Sequence, residues 1–209
     1  MKSFEALLQT SVERHGHLCA GQVIGVRMAM LGCRLIGVEN PQAPENRKKI
    51  MVFVEIDRCA TDAIESVTGC RMGKRTLKFK DFGINAATFV HLESRRAFRI
   101  VSTEASRGLA AAYAPDETDP LRQQLQGYQR MPDEMLFDIQ RVEVHLAEWD
   151  MPGPPRRHAL CERCGQTVRD GRERRIDGLV LCRPCAGESY FQILKNHHVQ
   201  SDAAEEATS

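Results

Sequence analysis

Two pairs of cysteines constrain the C-terminal part of this 209-residue chain more tightly than any other feature. Cys161-Glu162-Arg163-Cys164 is followed, after 17 residues, by Cys182-Arg183-Pro184-Cys185. A CxxC turn sets two sulfurs on one side of a backbone knuckle. Two such turns at this separation supply the four thiolates that zinc takes tetrahedrally at about 2.3 Å. Cys161, Cys164, Cys182 and Cys185 are therefore predicted to hold a structural zinc that staples a module too small for a core of its own. Eight cysteines would also permit four disulfides, but the paired spacing argues for metal. Gly165 gives the first knuckle a permissive dihedral. Residues 167–168 and 179–181 predict two short strands around a turn at Asp177-Gly178. Residues 186–196 predict a helix with Tyr190, Phe191 and Leu194 on one face. Knuckle, hairpin and helix together describe a treble-clef finger.

Charge excludes a nucleic-acid polycation: residues 1–150 hold 20 basic and 20 acidic side chains, and the whole chain carries a formal charge of +1. Residues 156–199 are mildly basic. Arg169, Arg172, Arg174 and Arg175 are the candidates there for touching a partner or phosphates. Glu173 and Asp177 dilute that run and no aromatics interleave with it, so a protein partner is expected before a nucleic acid. No apolar run is long enough to span a membrane, and the N-terminus lacks the apolar core of a secretion signal. A cytoplasmic protein is expected, where cysteines bind metal rather than pair.

Hydrophobic periodicity predicts helices over residues 3–14, with Ser3 as N-cap and Gly16 as its left-handed terminator, and over 20–36. Gly21, Gly25, Ala29 and Cys33 recur every fourth residue on the second helix, a stripe that suits tight packing against a sheet. Residues 50–56 are apolar on both faces and predict a central strand. A short helix is expected at 61–67, a half-buried strand at 76–82, strands at 88–92 and 97–101 flanking a hairpin turn, helices at 104–113 and 120–129, and a fifth strand over 137–146 with one phase slip. This order predicts an α+β domain with a mixed sheet over residues 1–150. A Pro-rich linker follows at 151–157, then the finger at 158–200 and a disordered acidic tail at 201–209.

The larger domain carries its own soft ligands. His15, His17 and Cys19 alternate, which in an extended or turning segment aims all three to one side. Imidazole and thiolate suit zinc or iron. Cys59 follows the central strand and Cys70 follows a turn glycine. These five exceed the three or four donors that a site with an open position needs. Cys33 belongs with the core.

These residues bring a resemblance into view. His15-Gly16-His17-Leu18-Cys19-Ala20-Gly21 with Gly25-Val26-Arg27-Met28-Ala29 is similar to the opening motif of the FmdE family, named for its association with formylmethanofuran dehydrogenase. Asp57 to Ile64, Thr68-Gly69-Cys70, Gly73-Lys74-Arg75-Thr76, Asp81-Phe82-Gly83 and Met131-Pro132-Asp133-Glu134 also match. The resemblance covers most of residues 1–150. It implies a thioredoxin-like α+β core with a five-stranded sheet, a homodimer, and a metal-binding active site of His17, Cys19, Cys59 and Cys70, with His15 as an alternative. Family members often have proline where this chain has Ala20. The finger's spacing resembles that of the DksA/TraR family.

On this reading the N-terminal site takes a second zinc or an iron, Arg27, Lys74 and Arg75 bind anionic groups beside it, and Asp57 and Asp62 orient ligands from behind. The implied role is a metalloenzyme or accessory protein of molybdenum or tungsten C1 metabolism. The alternative is a regulatory adaptor whose finger docks on a protein or nucleic acid while the larger domain senses a ligand or metal. A thiol redox role is weaker, because the larger domain has no CxxC.

Overall fold

The computed structural model describes residues 1–194. It divides into two compact units, the first Met1–Gly153 and the second beginning at Pro154. In the first, α1 (Phe4–His15) is capped by Ser3 and stopped by Gly16 in the left-handed region. Next come α2 (Ala20–Ile36), β1 (Ile50–Val54), α3 (Cys59–Thr68), β2 (Leu77–Phe79), β3 (Ala86–His91) and β4 (Ala97–Ser102). Helices α4 (Glu104–Tyr113), α5 (Pro120–Arg130) and α6 (Asp133–Leu136) precede β5 (Phe137–Arg141). One mixed sheet runs β2-β1-β3-β4-β5. β1 pairs parallel to β2, with α3 as the crossover, and the other neighbours are antiparallel.

β1 explains its own composition. Val52 and Val54 face the main core, which includes Val23, Val26, Ile64, Phe89 and Ile100. Met51 and Phe53 face a smaller cluster with Val90, Leu92 and Ala97, covered by Val142, Val144, Leu146 and Met151. A strand buried on both faces cannot alternate. The fifth strand is shorter than its hydrophobic pattern predicts. It ends at Arg141, and the phase slip marks where the chain leaves the ladder to pack 142–151 over the sheet's second face.

The small-residue stripe of α2 packs against a helix rather than a sheet at its first two positions. A Cβ on Gly21 would lie 2.8 Å from Cys59 Cβ, and one on Gly25 would lie 2.5 Å from the Ala60 carbonyl oxygen. The first turns of α2 and α3 therefore touch almost backbone to backbone. Further along, Gly32 receives the Phe89 ring.

In the second unit, β6 (His158–Leu160) pairs antiparallel with β7 (Thr167–Arg169), and β8 (Arg174–Ile176) with β9 (Leu179–Leu181). Asp177 and Gly178 both take positive φ, the two-residue hairpin turn that their sequence favours. The predicted partnership of 167–168 with 179–181 is corrected: each strand has its own partner, because 158–160 and 174–176 form strands as well. The predicted helix from residue 186 is also corrected. Turns follow Cys185 and no helix forms among the described residues; positions 195 and 196 of that expectation lie outside them, as does the tail at 201–209.

Candidate metal centres

The C-terminal cluster is built locally. Gly165, at φ 72°, donates its N–H to the Cys161 carbonyl at 2.8 Å and closes the first knuckle. Ala186 N–H closes the second on the Cys182 carbonyl at 2.9 Å. Cys161, Cys164, Cys182 and Cys185 bring their sulfurs within 4.8 Å of one another, with Cys164 and Cys182 at 3.8 Å. Backbone hydrogen bonding, first at Cys182, brings the Cys161 thiol down to about 6. The hydrogen bond with Cys182 and then desolvation push Cys185 up to about 12. Four thiols this close cannot all ionise without a cation between them, and a structural zinc would supply that charge. Of the four candidate arginines, Arg174 is held by Glu188 and Arg172 lies 3.8 Å from Asp170, so half of the run is committed within the finger.

The N-terminal cluster is built by tertiary packing. α1 ends at His15, Gly16 reverses the chain, and Cys19 becomes the N-cap of α2. The Cys19 side chain makes no capping hydrogen bond. His15, His17 and Cys19 converge with their donor atoms within 4.8 Å of one another, and the two imidazoles stand 4.7 Å apart, centroid to centroid. Ligand atoms around zinc sit about 3.3–3.7 Å apart, so the donors need only close inward by about 1 Å.

His15 carries the clearest sign of a ligand role. Its Nδ1 is 2.8 Å from Asp62 Oδ2. A carboxylate only accepts, so Nδ1 holds the proton and the Nε2 lone pair is free when the ring is neutral. Nε2 is buried and has no hydrogen-bond partner among the described residues. A buried acceptor with nothing to accept is costly; a metal ion there would satisfy it. Carboxylate, imidazole and metal in series is the arrangement by which proteins fix a ligating histidine.

Cys59 stands beside this group. It opens α3 directly across from Gly21, whose Cβ position is 3.7 Å from Cys19 Sγ. Burial pushes the Cys59 thiol up, and the hydrogen bond shared with Cys19 pushes the same way. Its carbonyl accepts from Gln22 Nε2 at 2.7 Å, and Gln22 in turn accepts from Ser11 Oγ. This buried chain of hydrogen bonds ties α1, α2 and α3 together behind the cluster, and periodicity and spacing do not reveal it. A polar pair at Ser11 and Gln22, on otherwise apolar faces, is the available signal.

Other expected residues lie elsewhere. Cys70 is outside the cluster: it is buried, its sulfur approaches the Ile50 carbonyl at 3.8 Å, and burial pushes its thiol up. Cys33 is likewise a core thiol, pushed up to about 12 by burial. Arg27 is an internal strut. It donates to the carbonyls of Tyr128 and Met131 and, at 2.5 Å, to Asp133, which also receives Arg34. The motif 131–134 thus serves to hold α2. Arg75 donates to the carbonyls of Trp149 and Met151, fixing the segment over the second face of the sheet. Lys74 lines a separate cavity. None of the described helices is long and apolar enough to cross a membrane.

Comparison with known proteins follows the same division. The family model described as FmdE, molybdenum formylmethanofuran dehydrogenase operon, matches residues 14–141. That for the prokaryotic dksA/traR C4-type zinc finger matches 154–191. A curated relative from Archaeoglobus fulgidus, described as a probable S-adenosyl-L-methionine-binding protein, is 28% identical across 94% of this chain. The chain spans 56% of that relative's length. The crystal structure of a tungsten formylmethanofuran dehydrogenase FmdE-like protein from Syntrophus aciditrophicus superposes with a TM-score of 0.58 at 18% identity, covering 91% of this chain and 96% of the other. That likeness concerns the fold.

Proposed function

Because the chain belongs to the FmdE family, we propose that it is a metal-binding accessory protein of molybdenum- or tungsten-dependent C1 metabolism. Its working site is the N-terminal cluster. His15, His17 and Cys19 hold a zinc or iron ion, Cys59 is within reach as a further ligand, and a position left open admits a ligand or substrate. The orphaned Nε2 of His15, backed by Asp62, carries this reading. The finger is a structural zinc module that offers a surface to a partner protein. Free thiols at both sites fit a reducing cytoplasm, and light scattering on the purified protein tests the homodimer that the family implies.

Metal stoichiometry of the full chain tests the assignment. Two metals per wild-type chain, one after Cys19→Ser and one after Cys182→Ser, is the expected pattern. A single metal that Cys182→Ser removes and Cys19→Ser leaves in place would sink the reading. A second reading follows from the Archaeoglobus relative: the larger domain binds S-adenosyl-L-methionine and works as a ligand sensor. Calorimetric titration with that ligand, with and without metal, separates the two.

A further inference from the structure

α3 begins at the metal centre and ends at a different feature. A cavity of about 410 Å³ lies at its C-terminal end, walled by Gln42, Arg47, Lys48, Thr68, Cys70 and Lys74 among others. No carboxylate lines it. Arg47, Lys48 and Lys74 are exposed and form no ion pair among the described residues. Two nearby carboxylates are already engaged: Glu93 pairs with Lys49 at 3.4 Å, and Glu65 is held by Arg71. The negative end of α3 is also quenched, because Gln42 Nε2 donates to the carbonyls of Ser66 and Val67 at 2.7 and 3.0 Å. Lys48 sits at φ 65°, a conformation that side chains other than glycine's disfavour. Three cationic side chains therefore line one hollow that has no carboxylate among its described lining residues.

We propose that this cavity binds the phosphate group of a small phosphorylated molecule. The three cations match a multiply charged oxyanion. The hollow exceeds what a bare phosphate fills and lies within the range of about 300–1,000 Å³ usual for small-molecule sites. Pro41, Ile50 and Cys70 give it an apolar wall for an organic portion. Burial keeps Cys70 a neutral thiol, so it is wall rather than nucleophile. The site is independent of the metal reading. The ten residues of α3 rise about 1.5 Å each, which puts the two ends of that helix about 15 Å apart.

The test uses the full, metal-loaded chain and inorganic phosphate, followed by amide chemical-shift perturbation. Saturable binding is expected, with shifts centred on residues 47–48, 69–70 and 74. Arg47→Gln and Lys74→Gln, both exposed positions that leave the fold and metal content intact, should each weaken binding by roughly tenfold. Absence of saturable binding up to about 50 mM phosphate would overturn the proposal. So would binding that both variants leave unchanged, or shifts confined to residues 15–19 and 59–62. The last outcome would mean that phosphate goes to the metal instead.

Discussion

Gly21→Ala should perturb the proposed N-terminal metal centre without replacing any of its ligand residues. The new Cβ would lie 2.8 Å from Cys59 Cβ, 3.4 Å from Ala60 N and 3.7 Å from Cys19 Sγ. Carbon–carbon contacts settle at about 3.5–4.0 Å, so α2 and α3 must part locally by about 0.7–1.2 Å. Overpacking of this kind costs about 1–3 kcal/mol, and alanine returns up to about 1 kcal/mol of helix propensity over glycine. The net loss of about 0–3 kcal/mol leaves the protein folded. The metal site is less forgiving, because ligand distances tolerate only about 0.2 Å, and Cys59 takes the push. Metal affinity at the N-terminal site should fall by about tenfold or more, or about 1.4 kcal/mol. Cobalt(II) titration against a competing chelator reads this on the intact chain, with the four-thiolate finger as internal reference. Gly25→Ala is the contrast: its Cβ would meet the Ala60 carbonyl at 2.5 Å and Ala63 Cβ at 2.7 Å, where backbone cannot yield, so the loss should appear as a lowered melting temperature. Wild-type cobalt affinity in a folded Gly21→Ala protein would refute the claim that this close approach positions Cys59.

Asp62→Asn should lower N-terminal metal affinity about 10- to 100-fold while leaving thermal stability nearly unchanged, since Asp62 is exposed; the same cobalt competition measures it. Arg99→Ala should destabilise the larger domain by about 3–5 kcal/mol in urea unfolding, because Arg99 is the bidentate partner of the buried Glu55, both contacts at 2.7 Å. In metal-free native protein, iodoacetamide should modify Cys19 and Cys59 well before Cys33 and Cys70, as peptide mapping by mass spectrometry will resolve. With its pKa near 12, Cys33 is ionised in only about one molecule in 10⁴ at pH 8, and a Cys70 that reacts as fast as Cys19 would contradict its buried placement. Cys182→Ser should abolish finger metal binding and unfold the second unit, visible as protease cleavage within 158–190.

Local rules carried much of this fold. Ser3 and Gly16 bracket α1 where capping chemistry puts them, and the spacing of Cys161, Cys164, Cys182 and Cys185 marked a site that its own knuckles assemble. Three things were illegible for physical reasons. α3 starts at Cys59, two residues before the predicted 61, because its N-cap is Arg58, which makes no side-chain capping bond. Cys70 looked like a ligand because Thr68-Gly69-Cys70 resembles a family motif, yet which way a thiol faces after a turn is decided by what packs beneath it. Arg27 and Arg75 looked available because a sequence does not say which carbonyls will be left for them. Asp62, by contrast, was expected to orient a ligand from behind, and it holds His15.

The two cysteine sets embody opposite relations between metal and fold. In the finger, the ligands lie on two knuckles joined by short hairpins, and the only described apolar core is Cys161, Leu181 and Cys182 with a few half-buried neighbours. Metal there contributes folding free energy outright. In the larger domain, the proposed ligands lie at the ends of three helices, with His17 in the turn between the first two, and the core and buried Ser11–Gln22–Cys59 hydrogen bonds of those helices do not involve metal. On the proposed reading that scaffold stands before the ion arrives, with His15 Nε2 buried and without a hydrogen-bond partner among the described residues. A group stranded in this way costs stability unless it is used. The larger domain's site, so read, therefore suits reversible occupancy and the finger's suits permanence.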